Sequence, residues 1–311
     1  MRERTLSEKW LNHMRKNGML YLMVAPAVIL TFVLCYIPMG GIVVAFQSYK
    51  INRGYFGSPF VGFRNFEFFF NSGKAWLLTK NTIMYNLTFI VVNMVLQIIV
   101  AIIISELPGK KYKRFMQSTM ILPHFISWVV VGGFAYSFLN YEYGALNSIL
   151  ASLGMERVNV YSDPSVWKYI LPFVSAWKSV GYGSIIYLSA IAGIDKEMYE
   201  SAYLDGAGIY RRIWYITLPM LGPTVIVMLL FALGGILQGN FDMFYQLLGE
   251  NGQLFQTTDI IATYVFRTLL SSSNNVGIAA ASGLYQQVFG FVLVVSVNLL
   301  IRKVSPGYEL F

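Results

Sequence analysis

Long apolar runs separated by short polar segments make up most of the sequence. The runs extend from Met19 to about Phe46 and over roughly 81–105, 116–139, 169–194, 216–239 and 281–301. Each run is close to or longer than the twenty or so residues that an α-helix needs to cross a bilayer. The pattern predicts an all-α, polytopic membrane helix bundle with six transmembrane helices and no sizeable soluble domain.

The first run and the basic residues around the runs predict the topology. The first run has about 28 residues, too many for the apolar core of a cleaved signal peptide, so we expect it to remain as a tilted transmembrane helix. With the N-terminus inside, the inner segments carry fourteen Lys and Arg residues and the longer outer segments carry eight. Because cytoplasmic loops are enriched in Lys and Arg, both termini are predicted to be cytoplasmic (N-in/C-in).

Composition supports a membrane protein and excludes several other classes. Hydrophobic residues make up 56% of the chain and charged residues 12%, about half the charged fraction of a typical soluble domain. The net charge of +8 lies in short clusters between the apolar runs, which favours membrane topology over nucleic-acid binding. One cysteine, Cys35, and two histidines, His13 and His124, give neither a disulfide framework nor a metal site.

One polar segment, residues 200–221, has the spacing of a motif. Its first part suits a short helix, in which Ala202 and Gly206, four residues apart, would share a face nearly free of side chains. Glu200 would lie on the same side, and Asp205 with Gly206 suits a bend. Pro219 suits the first turn of the next apolar helix, where a missing N–H costs nothing.

This segment resembles the EAA motif of the membrane subunits of bacterial ABC importers. The matching residues are Glu200, Ala202, Gly206, Ile216, Leu218 and Pro219. Ser201 departs from the second position of the motif. The resemblance implies a type I ABC importer fold and an ATPase-coupling segment over residues 196–219. Its coupling residues would be Glu200, Ser201, Ala202, Asp205, Gly206, Ala207, Leu218 and Pro219. The alternative is an ordinary cytoplasmic helix-turn-helix.

The first outer loop resembles the corresponding loop of importer permeases for oligosaccharides and polysaccharide fragments. The matching residues are Phe56 to Pro59, Gly62, Asn65 and Phe66. The two resemblances together divide the chain into five parts: a cytoplasmic tail (1–18), a first transmembrane helix (19–46), an outer loop (47–80), an ABC permease transmembrane domain (81–303) and a cytoplasmic tail (304–311).

The resemblance also implies what the chain does and with what it assembles. It would be a permease of the cell membrane that forms the path for a carbohydrate, an oligosaccharide, with a second homologous permease as a heterodimer. Two ATPase subunits and an extracellular substrate-binding lipoprotein would complete the importer. No GxxxxGK[ST] loop occurs in the sequence, so we expect no enzyme and no bound cofactor, with ATP and Mg²⁺ used by the partner ATPase.

Two other functions stay open at this point. One is an ABC permease for a solute that is not a sugar. The other is an ion-coupled secondary transporter, although internal repeats and buried acidic residues typical of that class are not evident. An intramembrane enzyme would need a nucleophile and base or a metal constellation, and none is visible.

Candidate residues for the substrate path are polar or aromatic positions within the spans or near their outer ends. Lys178 lies about nine residues, or roughly 14 Å, into its span, and a charge at that depth normally faces a cavity or a partner. It would either line a sugar cavity or pair with a carbonyl or carboxylate of a neighbouring subunit. The other candidates are Trp177, Tyr182, Gln238, Asn240, Asp242, Tyr245, Tyr285 and Gln286.

Overall fold

The structure, a computed structural model, describes residues 16–272 and 275–304. Most of the two predicted tails, 1–18 and 304–311, therefore lies outside the described residues. Within them the chain is helical, and its β structure is limited to an isolated antiparallel bridge between Gln47 and Phe60.

The α-helices are numbered in chain order. They are α1 Gly18–Thr31, α2 Gly54–Gly57, α3 Arg64–Asn71, α4 Lys74–Glu106, α5 Lys110–Ile121, α6 Trp128–Leu139, α7 Ala145–Ser152, α8 Trp167–Ala192, α9 Lys196–Leu204, α10 Ile209–Arg212, α11 Leu218–Gly234, α12 Phe241–Leu248, α13 Phe255–Thr258, α14 Ile261–Ser271 and α15 Val276–Val304. The π-helical turns are Phe32–Tyr36 and Ile213–Thr217, and the 3₁₀ segments are Ile37–Phe46, Leu122–Phe125, Val160–Ser162 and Gly252–Leu254.

Four helical segments of the described chain are long and apolar enough to cross a membrane. They are Gly18–Phe46, Lys74–Glu106, Ile209–Gly234 and Val276–Leu299. The number rises to five if the bent pair Lys110–Phe125 and Trp128–Leu139 is one span. The fold is therefore a membrane helix bundle, but the predicted number of six spans is not reached by length and hydropathy alone.

The third apolar run, 116–139, forms two helical segments with a sharp bend between them. The chain bends by 88° between Lys110–Phe125 and Trp128–Leu139. Pro123 lies in the 3₁₀ turn before the bend, where its missing N–H weakens helix continuation. Ser127 then starts α6 afresh, because its side chain accepts a hydrogen bond from Val130 N.

The fourth run forms α8, which is long enough to span but more polar than the others. Its 26 residues extend over about 39 Å. Ser175, Lys178 and Ser184 are buried on it. These polar side chains are tolerated in a membrane helix because they face neighbouring helices rather than lipid.

The centre of the bundle is the pair α4 and α8, which pack along each other. Towards the start of α8 the two helices enclose an apolar cluster that includes Phe89, Trp167 and Phe244. Towards its end, Tyr187 and Leu221 pack with Ala101.

The small residues at the start of α15 allow close packing between helices. Ala281 and Ser282 are fully buried, and a side chain at Gly277 would collide with the backbone of Gln47. The first helix differs: most of its side chains from Met19 to Val43 are exposed, and burial begins at Val44. Its apolar surface is thus available to lipid or to another membrane subunit.

Candidate functional site

The motif segment forms a short helix, α9, followed by a sharp turn. Asp195 caps the start of the helix by accepting a hydrogen bond from Glu197 N at 3.0 Å. At its end, Gly206 has a φ of 76°, and Ala207 N donates to Ala202 O at 2.9 Å. A glycine in the left-handed conformation just after a helix is a common way to end it.

The prediction that Ala202 and Gly206 share one helical face is therefore wrong. Because α9 ends at Leu204, Ala202 and Gly206 do not lie on one face of a continuous helix. Gly206 is required for its backbone conformation, and Glu200, Ser201 and Asp205 are exposed around it. The segment is a helix and a tight turn projecting from the bundle.

Leu218 and Pro219 stand where this segment joins the fifth apolar run. The structure places Pro219 in the first turn of α11, as the sequence predicted. The helix does not begin there, however, since α10, the π turn Ile213–Thr217 and α11 continue into one another. The wider turn gives room for a proline that lacks an N–H.

Large apolar side chains surround the turn and have little cover from the chain. Tyr203 is 71% exposed, Leu204 85% and Tyr210 78%. Exposed apolar groups of this size, clustered in a polar segment, indicate a contact with another protein. Sequence reasoning left them out, although three large apolar residues in a polar loop were visible.

Two side-chain contacts connect the segment to transmembrane helices. Tyr199 Oη and Thr217 Oγ1 are 2.9 Å apart, which links α9 to the base of α11. Arg212 and Glu106 approach to 3.9 Å, which links α10 to the end of α4. A displacement of the turn would therefore reach both helices.

Lys178 lies on α8 and is only 9% exposed. Its Nζ donates to the backbone carbonyls of Pro123 (3.3 Å), His124 (2.8 Å) and Ile126. It also lies 5.2 Å from the ring centre of Trp128. These carbonyls lie at the bend between α5 and α6, where Pro123 O also accepts from Ile126 N at 3.2 Å, and Lys178 bonds to all three within the same chain.

Trp177 and Tyr182 do not share a polar cavity with Lys178. Trp177 lines an apolar groove of about 430 Å³ together with Phe173 and Pro123. The Tyr182 ring stacks on His124, with ring centres 4.1 Å apart. The three predicted neighbours on α8 thus face different surroundings.

The candidates near the end of α11 serve mainly to join helices. Gln286 Nε2 donates to Leu237 O at 2.6 Å and to Gln238 O at 3.3 Å. Gln238 and Gln286 also border a cavity of about 220 Å³. Asn240 caps α12 by accepting from Met243 N at 3.1 Å.

The remaining candidates are at separate positions. Asp242 is exposed at the start of α12, and Tyr245 stacks on Phe241. Tyr285 packs on Phe69 and forms a hydrogen bond with Thr79 at 2.9 Å. None of these three residues lines the cavity between α4 and α11.

A polar stripe on α4, which sequence reasoning missed, borders a central cavity. Asn86, Asn93 and Gln97 follow one another at intervals of seven and four residues, so they lie on one face of the helix. They line a cavity of about 240 Å³ together with Tyr187 and Gly235. The helical spacing of three amides in an apolar run would have revealed this stripe.

The stripe is deep in the bundle, and one of its atoms is free. Asn86 and Asn93 lie within about 6 Å of the middle of α4 along the helix axis. Asn93 Nδ2 donates to Ser175 Oγ at 3.1 Å. Asn93 Oδ1 is buried and has no hydrogen-bond partner in the part of the chain that the structure describes. A buried acceptor of this kind is suited to a hydroxyl of a bound solute.

The sequence of the chain matches a known class of membrane protein. Residues 97–306 match the family described as binding-protein-dependent transport system inner membrane component. The chain belongs to this family, and it is therefore a membrane permease component rather than an ion-coupled transporter or an enzyme.

Similar proteins cover nearly the full chain. Protein LplB of Bacillus subtilis is 32% identical over 94% of this chain and 92% of its own length. The polygalacturonan/rhamnogalacturonan transport system permease protein YteP of the same species is 32% identical over 91% and 88%. A crystal structure of a bacterial ABC transporter for import of the acidic polysaccharide alginate contains a chain with a TM-score of 0.85 and 32% identity, covering 96% of this chain and 99% of that one. The fold is thus that of an ABC importer permease.

Proposed function

We propose that this chain forms, with a second related permease, the translocation path for a carbohydrate, specifically an oligosaccharide. Relatives named for polygalacturonan/rhamnogalacturonan, arabinooligosaccharides and lactose support a sugar substrate. A relative named for osmoprotective compounds supports the alternative, a solute outside this range.

The observation that carries the proposal is the amide stripe facing the central cavity. Sugar hydroxyls both donate and accept hydrogen bonds, and side-chain amides offer both functions without charge. The free Asn93 Oδ1 would accept from a sugar hydroxyl as the solute passes. A path lined by apolar residues alone would leave those hydroxyls unsatisfied in the membrane.

We further propose six transmembrane helices with both termini in the cytoplasm. The four apolar helices, the bent pair taken as one span, and α8 add up to six. This arrangement places the motif segment on the cytoplasmic side, where the basic residues are concentrated.

On that side, two ATPase subunits would hydrolyse ATP, and one of them would hold the turn around Gly206. Leu204 and Tyr210 would contact the ATPase, because they are large, apolar and exposed. Movement of the turn would pass through Tyr199 to α11 and through Arg212 to α4. Both of these helices border the proposed sugar path, so the same movement would open or close it.

An extracellular lipoprotein would deliver the sugar to the other side. A related solved structure shows the alginate transporter in complex with a pentasaccharide-bound periplasmic protein, which supports such a partner. The heterodimeric pairing rests on the resemblance to importer permeases.

Uptake of labelled oligosaccharides by cells with and without this chain tests the function. We expect uptake of at least one oligosaccharide to require the chain and to fall at least fivefold in Asn93→Ala. Thr88→Ala is the matched control, because the partly exposed Thr88 side chain does not line the central cavity and bonds to its own helix, at Met84 O. Uptake of a non-sugar solute alone would favour the alternative, and full sugar uptake in Asn93→Ala would remove the stripe from the path.

A further inference from the structure

A second cavity lies at the end of the bundle away from the motif segment. It has a volume of about 920 Å³ and is formed by the end of α6, the loop after it, and residues 159–162 and 251–253. Helix α8 fixes this position. Its first residue, Trp167, closely follows the cavity-lining residues 159–162 in sequence, and its last residue, Ala192, lies about 39 Å away and is closely followed by α9. In the proposed orientation it opens to the outside.

Four tyrosines dominate the lining of this outer tyrosine pocket: Tyr136, Tyr141, Tyr143 and Tyr161. Tyr143 is 63% exposed and Tyr136 is 49% exposed, so their rings are open to solvent. The rings are set at angles, with centres 6.2 Å apart for Tyr136 and Tyr143 and 5.8 Å for Tyr136 and Tyr161. Exposed aromatic rings combined with amides suit a solute that has both apolar faces and hydroxyl groups.

Two asparagines, Asn147, which is buried, and Asn251, which is partly buried, hold the walls of the pocket in place. Asn147, only 1% exposed, donates to Tyr141 O at 3.2 Å and to Val158 O at 3.0 Å. Asn251 Nδ2 donates to Tyr161 O at 2.7 Å and so connects residues 251–253 to residues 159–162. The pocket is therefore formed before any ligand arrives, which lowers the entropy cost of binding.

The polar groups of the pocket are amides, hydroxyls and one carboxylate. Asn140, Asn159 and Gln253 line it, and Glu142 is the one charged residue among its described lining residues. Burial, with a smaller effect of Tyr136, raises the pKa of Tyr161 to about 12, so its hydroxyl remains able to donate at physiological pH. A carboxylate with no basic residue beside it in the lining repels an anionic ligand.

We infer that the outer tyrosine pocket binds uncharged sugar rings, as a contact site for the oligosaccharide separate from the central cavity. The inference rests on the proposed function and specifies its substrate class. Sugar rings would stack on the exposed tyrosine faces and bond to the amides, while uronic acid rings would be disfavoured by Glu142. A site at this end would hold part of an oligosaccharide outside the membrane as another part enters the path.

The test uses the assembled importer in nanodiscs, without the binding protein, and saturation-transfer-difference NMR. The probes are maltotriose, cellotriose and xylotriose as uncharged sugars and trigalacturonate as the anionic one. We expect saturable signals from at least one uncharged trisaccharide and at least fivefold weaker signals from trigalacturonate. Tyr143→Ala should reduce the uncharged signal at least fivefold, and Glu142→Gln should raise the trigalacturonate signal.

A control variant locates the binding. Tyr169→Ala removes an exposed tyrosine at the same end of the bundle but outside the pocket, and it should leave the signal unchanged. Absence of any uncharged signal, a signal that survives Tyr143→Ala, or equal binding of trigalacturonate would overturn the inference.

Uptake separates this inference from the proposed function. If sugar uptake requires the chain but no tyrosine-dependent binding is found, only the outer pocket is rejected. If no oligosaccharide is transported at all, the proposed function itself fails, whatever the NMR signals show.

Discussion

Lys178 and Asn93 both carry polar atoms that are buried between helices, but only one has a hydrogen-bonding atom to spare. An ammonium group has three N–H donors, and Lys178 directs its Nζ to three carbonyls. Asn93 uses its Nδ2 and keeps Oδ1 free. At the residue scale, therefore, the structure favours a structural role for Lys178 and leaves the amide stripe as the better candidate for contact with sugar.

Replacing Lys178 by methionine distinguishes the two roles. Lys178→Met keeps the length of the side chain but leaves the carbonyls of His124 and Ile126 without this donor, at a cost of about 1–3 kcal/mol for each unsatisfied group. We expect a several-fold lower yield of the assembled complex after mild detergent extraction. Lys168→Met, on the exposed first turn of the same helix, is the control and should assemble normally.

The opposite result would restore the substrate role. That result is a normal yield of Lys178→Met complex whose ATP hydrolysis no longer responds to sugar and binding protein. Normal yield with normal stimulation would remove the residue from both roles.

The sequence could show that a charge lies in a span, but it could not show the partners of that charge. Depth follows from counting along an apolar run, whereas the carbonyls bonded to Lys178 come from residues 52 to 55 positions earlier. Those carbonyls lie at the bend, whose angle the hydropathy pattern does not give. The amide stripe, in contrast, follows from spacing within one helix, so the sequence did contain it.

At the scale of elements, the ends and interruptions of helices determine function more than their middles. The EAA spacing located the motif segment, and Pro219 lies in the helical turn that its position predicted. The prediction that Ala202 and Gly206 share a face was wrong, because the spacing alone does not reveal that the helix ends at Leu204. Likewise a proline such as Pro123 interrupts helical hydrogen bonding, but the size of the bend depends on packing against α8.

Gly206 provides a test of the turn. Its φ of 76° costs residues other than glycine roughly 1–2 kcal/mol, and asparagine tolerates it better than alanine. We expect Gly206→Ala to weaken co-purification of the ATPase and to lower uptake several-fold, with Gly206→Asn retaining most of both. Gly208→Ala is the matched control, since Gly208 has a φ of −67° and open space around it.

Equal loss in Gly206→Ala and Gly206→Asn would contradict this explanation. It would mean that the ATPase needs a surface free of side chains at this position, whatever the backbone conformation. The experiment therefore separates the backbone explanation from the original prediction of a bare face.

At the scale of the whole molecule, the proposed path joins three sites along the membrane normal. The exposed turn would receive the ATPase, the amide stripe lies near the middle of α4, and the outer tyrosine pocket lies at the far end. The apolar runs predicted the helix bundle from sequence because burial in lipid requires them. The cavities could not be predicted, because each is built from segments that are distant in sequence.

This arrangement requires that the motif segment and residues 141–168 lie on opposite sides of the membrane, which cysteine labelling tests. Single cysteines at Lys111 and Ser152, both exposed, are introduced in a Cys35→Ala background. In intact cells an impermeant maleimide should label only the cysteine at 152, since the excess of basic residues predicts that Lys111 is inside. After permeabilisation both should react, which shows that each thiol is accessible. Labelling at 111 in intact cells would reverse the orientation and would move the outer tyrosine pocket to the cytoplasm.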